Sequence, residues 1–293
     1  MIQTKYGILN GVENSELYPS GSLKSAMVSE YSVLKTEYGD LIPNYEYDEV
    51  RKKYRASVCF DEAGELSSIY LQKPQRIRTK AGIFPAELLT FYPGGSIKRL
   101  FPLYGQINGY WTEEDEYKLA EEQSFFALQE KKTGKVSCFH FYPDGNLKSV
   151  TLWPQSSVTL LTNYGEITTK FGFELTEQGK LRSMEPAFDV KLDTPNGVLK
   201  PFPMIGYRLH AERNSLAFDE DGKLVKAATL INKVKVKNAG GEEQILEAVW
   251  TPDPFTGHTV KRPLELLWTD GTLQIRVDEQ TVFTYAEDQV EFV

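Results

Sequence analysis

An all-β fold, a repetitive antiparallel meander of β-hairpins, is the class this sequence predicts, and three observations predict it. Bulky apolar residues bracket turn residues and a glycine again and again along the chain. Tyrosine and phenylalanine, which suit the pleated, half-buried surface of a strand, supply 16 residues each. An early segment also aligns onto a later one without a gap, so the hairpins belong to a duplicated set.

The turn pattern comes first. Its clearest copies are Leu17-Tyr18-Pro19-Ser20-Gly21-Ser22-Leu23, Phe91-Tyr92-Pro93-Gly94-Gly95-Ser96-Ile97 and Phe141-Tyr142-Pro143-Asp144-Gly145-Asn146-Leu147, with weaker copies around Gly64, Gly179 and Gly222. In every copy the residue four before the glycine is Leu or Phe, and the residue two after it is Leu or Ile. Proline presets φ for the first corner of a type I turn, and the glycine takes the left-handed conformation that closes a hairpin through a bulge. The two apolar residues then share one face of the hairpin. A second version replaces the aromatic-proline pair with threonine, as in Thr4-Lys5-Tyr6-Gly7, Thr36-Glu37-Tyr38-Gly39, Thr162-Asn163-Tyr164-Gly165 and Thr194-Pro195-Asn196-Gly197. Gly82, Gly105, Gly134 and Gly271 also have an apolar residue two positions later, so about fourteen of the 22 glycines obey one turn rule.

Sliding the chain by 158 positions places residues 4–66 on 162–224 with about nineteen identities. Gly7, Gly21, Gly39 and Gly64 then fall on Gly165, Gly179, Gly197 and Gly222, and the segment Arg55 to Gly64 falls on Arg213 to Gly222. Between the copies, Trp111 to Glu122 reads as a short helix near 112–122, capped by Thr112, with acids crowding its positive end. After about residue 235 the register changes: Trp250 to Gly257 reads as an irregular loop, followed by strands at Leu264–Trp268 and Leu273–Val277. The expected organisation is a first hairpin segment at 1–110, a helical connector at 111–123, a second hairpin segment at 124–235 and atypical capping strands at 236–293.

The formal net charge of −8 disfavours nucleic acid and anionic membranes as partners. The nearest basic run, Arg51-Lys52-Lys53 with Arg55, is short and sits among acids. No signal-like head and no long apolar run are apparent, which points to the cytoplasm. Cys59 and Cys138 share no metal-ligand spacing and read as reduced core thiols.

Catalytic motifs are not legible. His140, His210 and His258 have no close metalloprotease or zinc spacing and read as structural. The run Glu113-Glu114-Asp115-Glu116 spreads around a helix axis, and the helix dipole accounts for it without a cation. Asp61-Glu62 and Asp219-Glu220 occupy equivalent turn positions, where Asp is favoured by local backbone hydrogen bonds. As rim carboxylates of a groove they are the basis of an alternative, carbohydrate-directed reading. Tyr18, Tyr92 and Tyr142 stand at matching positions beside the prolines. They are the candidate partner-binding row, set against the simpler reading in which each packs over its own turn. No catalytic residue, metal or cofactor is expected.

The hairpin signature, seen best in Phe141-Tyr142-Pro143-Asp144-Gly145-Asn146-Leu147-Lys148-Ser149 and its relatives at 17–25 and 91–99, resembles the MORN-variant repeats of bacterial proteins, some of them antitoxin components. About six units over residues 1–230 carry the resemblance; they lack the regular second and third glycines of the standard repeat, and their spacing varies. It implies a hairpin array that acts by binding, foremost another protein. A peripheral-membrane role follows from the wider family alone, and the acidic balance opposes it.

Overall fold

The computed structural model describes residues 1–48, 50–52, 55–202, 211–212, 214–237, 240–252 and 257–293. The chain is all-β, with antiparallel strands arranged as hairpin meanders, and forms two compact units, Met1–Ser156 and Ser157–Val293. The break, after Ser156, falls just before the aligned second copy at 162–224. The segment expected to connect the copies, 111–123, lies inside the first unit.

In the first unit, consecutive strands pair with their sequence neighbours. They are β1 (Val12–Leu17), β2 (Leu23–Val28), β3 (Val58–Phe60), β4 (Leu66–Thr79), β5 (Gly82–Phe91) and β6 (Ile97–Phe101). After the helix α1 (Glu113–Leu119) come β7 (Glu122–Ala127), β8 (Glu130–Phe141) and β9 (Leu147–Leu152). The ladder runs β1-β2-β3-β4-β5-β6-β8-β9, and β7 lies against the first half of β8. Alternation along the strands sends Ile69, Phe84, Leu89 and Phe139 inward, each with no exposed surface, and Phe84 stacks on Phe139 at 4.1 Å.

All six turns of the first version adopt one geometry, although only those at Gly21, Gly95 and Gly145 contain a proline. The residue three before the glycine accepts from the glycine N–H and donates its own N–H to the residue after the glycine. Tyr92 N to Ser96 O is 2.8 Å and Gly95 N to Tyr92 O is 3.0 Å, and the turns at Gly21, Gly64, Gly145, Gly179 and Gly222 repeat this pair. Each of these glycines has positive φ, between 75° and 91°, as the bulge requires. The threonine turns have their own chemistry. The hydroxyls of Thr4, Thr36, Thr79, Thr162 and Thr194 donate to the carbonyl of the turn glycine at 2.7–3.0 Å. In the first four, the same oxygen accepts the N–H two residues on. Two residues past each of these glycines stands a buried anchor: Leu9, Leu41, Phe84, Ile167 and Leu199.

The second unit contains β10 (Ser157–Thr162), β11 (Gly165–Leu175), β12 (Leu181–Pro186), β13 (Leu216–Phe218), β14 (Leu224–Thr229), β15 (Leu264–Thr269), β16 (Thr272–Arg276) and β17 (Val282–Ala286). Its ladder runs β11-β12-β13-β14-β15-β16-β17, with β10 against the start of β11. The strands of the second copy recur at the same offset: β12 and β13 begin and end at the positions equivalent to β2 and β3. Strand Val234–Lys237 pairs with both Glu243–Leu246 and Val290–Phe292 in a separate small sheet. The expected irregular loop at 250–257 begins inside a two-stranded hairpin, Val249–Pro252 with Thr259–Arg262; its residues 253–256 lie outside those described.

Two glycines depart from the turn rule. Gly134 sits within β8 opposite Gln123; the hairpin turns instead at Leu128 and Gln129, whose φ values are 52° and 62°. Gly105 lies outside any hairpin and faces Glu116, where a Cβ would overlap the carboxylate. Both had the right apolar residue downstream, but that spacing does not define a turn on its own.

Candidate functional site

The most highly charged interior region gathers around Arg51. Asp48 starts the turn by accepting the N–H groups of Val50, Arg51 and Lys52, and these bonds outweigh burial to hold its carboxyl below the usual range. Strand β5 brings Glu87 to one side of Arg51. Helix α1 brings Glu116 to the other, with Thr112 and Asp115 forming a capping box at its start. The Arg51 guanidinium forks onto both carboxylates: Nη1 and Nη2 donate to Glu87 at 2.9 and 2.7 Å, and Nε and Nη2 to Glu116 at 2.9 and 2.7 Å. Trp111 Nε1 and the Gly105 N–H also donate to Glu116, at 2.7 and 2.8 Å, and the Tyr104 N–H donates to Glu87 at 2.7 Å.

Burial works against the charges of Arg51 and Glu116, but their hydrogen bonds prevail. They raise the Arg51 pKa and hold Glu116 below the usual carboxylate range. Lys52 is the exception: burial, opposed by the nearby Glu87 and reinforced by Arg51, keeps its pKa below that of an ordinary lysine. Its ammonium donates to the Gln72 carbonyl at 2.6 Å and to Asn44 Oδ1 at 3.2 Å. Arg55 lies between the rings of Tyr70 and Tyr104, 4.2 and 4.4 Å from their centroids. Of the basic run singled out in the sequence, Arg51 is neutralised internally, Lys52 and Arg55 meet neutral groups, and Lys53 lies outside the described residues. Both carboxylates of the cluster are occupied by one guanidinium and three N–H donors, an arrangement suited to pinning Arg51 and the 104–116 segment onto β5.

The turn residues form a second set. The tyrosine of a threonine turn takes the backbone N–H that a later turn of the first version leaves open: Leu66 to Tyr6 at 3.2 Å, Ile97 to Tyr38 at 3.1 Å and Leu224 to Tyr164 at 2.9 Å. The tyrosines beside the prolines reach the next hairpin instead. Tyr18 Oη donates to the Phe60 carbonyl and Tyr92 Oη to that of Phe141, each at 3.0 Å. Lys98 and Lys148 stand 5.5 and 5.8 Å from the ring centroids of Tyr92 and Tyr142. All three tyrosines of the candidate row are half-buried.

The remaining candidates are placed as follows. His140 is buried and its Nε2 lies 3.2 Å from Tyr92 Oη; His258 is exposed; His210 lies outside the described residues. Asp61 accepts the Glu65 N–H at 2.8 Å, and Asp219 accepts the N–H groups of Asp221 and Lys223 at 3.0 and 2.8 Å. Of the helix acids, Glu116 alone is buried, so an ionic contact docks the helix beside the buried Ala120 and the half-buried Tyr117, whose ring lies edge-on to Trp153 at 6.3 Å. Cys59 is half-buried and Cys138 buried, both as free thiols. Among the described residues, no three His, Cys, Asp or Glu side chains converge as a metal-ligand set, and no helix is long and apolar enough to cross a membrane.

Duplication has been put to a different use in the second unit. The position equivalent to Tyr38 is Asn196, whose Nδ2 donates to the Glu287 and Val290 carbonyls at 2.7 and 3.0 Å. The Phe292 N–H returns to the Asn196 carbonyl at 2.7 Å, and a Cβ on Gly197 would stand 2.9 Å from the Phe292 oxygen. A cavity of about 20 Å³, lined by Tyr164, Asn196, Lys223, Trp268 and Glu287, has room for one or two water-sized groups.

A scan against protein-family models finds no match, and a search of curated proteins finds none.

Proposed function

We propose that this is a non-enzymatic binding or scaffold protein, a MORN-like hairpin array that presents its surface to another protein, with an antitoxin-like role as the specific form. The observation that carries this reading is the contrast between the turns and the strand surfaces. Turn side chains bond to neighbouring hairpins, whereas ordered strands hold large apolar residues outward: Phe126 is 59% exposed, Leu161 64% and Trp250 67%. An acidic protein of this kind favours a protein partner over nucleic acid or an anionic bilayer, and the reading places it in the cytoplasm. Tyr18, Tyr92 and Tyr142 remain the proposed contact row, through their ring faces.

Affinity purification from native lysate with mass spectrometry tests the reading, with one stoichiometric protein partner as the expected result. Ala at Tyr18, Tyr92 and Tyr142 then lowers affinity about tenfold or more, whereas Phe, which keeps each ring, changes it little. Equal affinity for the Ala variants removes the row from the interface.

A further inference from the structure

We infer that the outer edge of β17 is a strand-addition site for an extended peptide segment with an uncharged, β-branched centre and basic flanks. This deepens the protein-binding reading and rests on it. Among the described pairings, β17 has a partner on one side only, β16. The bonds Val277 N to Thr281 O and Glu287 N to Gly271 O, both 3.0 Å, fix the phase of that ladder. With this alternation, Phe283 and Tyr285 bond inward to β16, while the N–H and C=O groups of Val282 and Thr284 point away from it. The Ala286 N–H, in the same outward phase, is taken by Gln289 Oε1 at 3.2 Å.

The side chains fit the same conclusion. Phe283 and Tyr285 lie opposite the buried Ile275 and Leu273, on the core face, yet both remain half-exposed. One more strand would cover them. Edges of this kind are normally guarded by charge, as β1 is by Glu13 and Glu16, but Val282-Phe283-Thr284-Tyr285-Ala286 carries none.

Charge selects the occupant. Asp278 and Glu279 precede the strand and Glu287 and Asp288 follow it. Arg262 and Lys223 stand 3.1 and 3.7 Å from Glu279 and Glu287, while Asp278 and Asp288 have no cationic partner among the described residues. An antiparallel second copy would bring the acidic start of one strand alongside the acidic end of the other. A segment with Lys or Arg at both ends is complementary.

Hydrogen exchange on the full chain, with and without the synthetic peptide Lys-Lys-Val-Thr-Val-Thr-Val-Lys-Lys, tests the site. The peptide is expected to slow exchange of the Val282 and Thr284 amides about tenfold or more, and its Glu-flanked counterpart to leave them unchanged. Thr284→Pro deletes an outward donor and Thr284→Lys adds a repelling guard, so each abolishes the protection. Continued protection of the Phe283 and Tyr285 amides shows that both variants keep the β16 ladder. Protection elsewhere, equal action of the two peptides, or none at millimolar concentration overturns the proposal. A purified partner that binds Thr284→Lys as tightly as the parent removes this edge and leaves the protein-binding reading standing. Peptide protection without any cellular partner does the reverse.

Discussion

Two buried polar devices show how single side chains hold the array together. Arg51 neutralises Glu87 and Glu116, so Arg51→Met leaves two carboxylates buried without a counterion. It should cost about 3–5 kcal/mol in urea unfolding, and adding Glu87→Gln and Glu116→Gln should restore much of that. Because Glu116 is held below its unfolded value, its contribution is present above the ordinary glutamate range, near about pH 4.3, and is lost as pH falls through the folded value. The urea midpoint should therefore drop on acidification, and Glu116→Gln should flatten that drop. Tyr38→Phe deletes the acceptor of the Ile97 N–H and should lower stability by about 1 kcal/mol in the same assay.

At the scale of the element, turn chemistry was readable from local sequence wherever one residue type meets one backbone need. Glycine at positive φ and threonine bonding across its own turn are such cases, and all six turns of the first version follow the glycine rule, three of them with a proline before it. The β7–β8 turn does not follow it, because Leu128 and Gln129 occupy left-handed positions without glycine. Strand pairing dictates that turn. Replacing the pair with Asn-Gly should stabilise the hairpin by about 1–2 kcal/mol, measured as a raised melting temperature. The helix was readable from Thr112 and its acids, but its docking residue was not. A glutamate becomes a core residue only if an arginine some 65 positions away arrives beside it.

At the scale of the whole molecule, the chain forms two compact units, Met1–Ser156 and Ser157–Val293. Arg51→Met should accordingly accelerate hydrogen exchange at Leu89 and Phe139 well before Leu266 and Ile275, read by mass spectrometry of protected amides. Exchange rising equally in both units would show instead that they unfold together. Duplication also frees equivalent positions to diverge: Tyr38 clamps a hairpin in one copy, while Asn196 holds the Val290–Phe292 strand in the other.

The sequence by itself determined the all-β class, the positions of the six glycine-closed turns of the first version and the repeat at offset 158. Each depends on local backbone conformation or on direct comparison of residues within the chain. Only the tertiary structure decided the internal neutralisation of Arg51, the hairpin contacts made by the turn tyrosines and the edge of β17 that has no strand partner among the described residues. These depend on which distant backbone and charged groups come within about 3 Å, a hydrogen-bond distance that no spacing along the chain encodes.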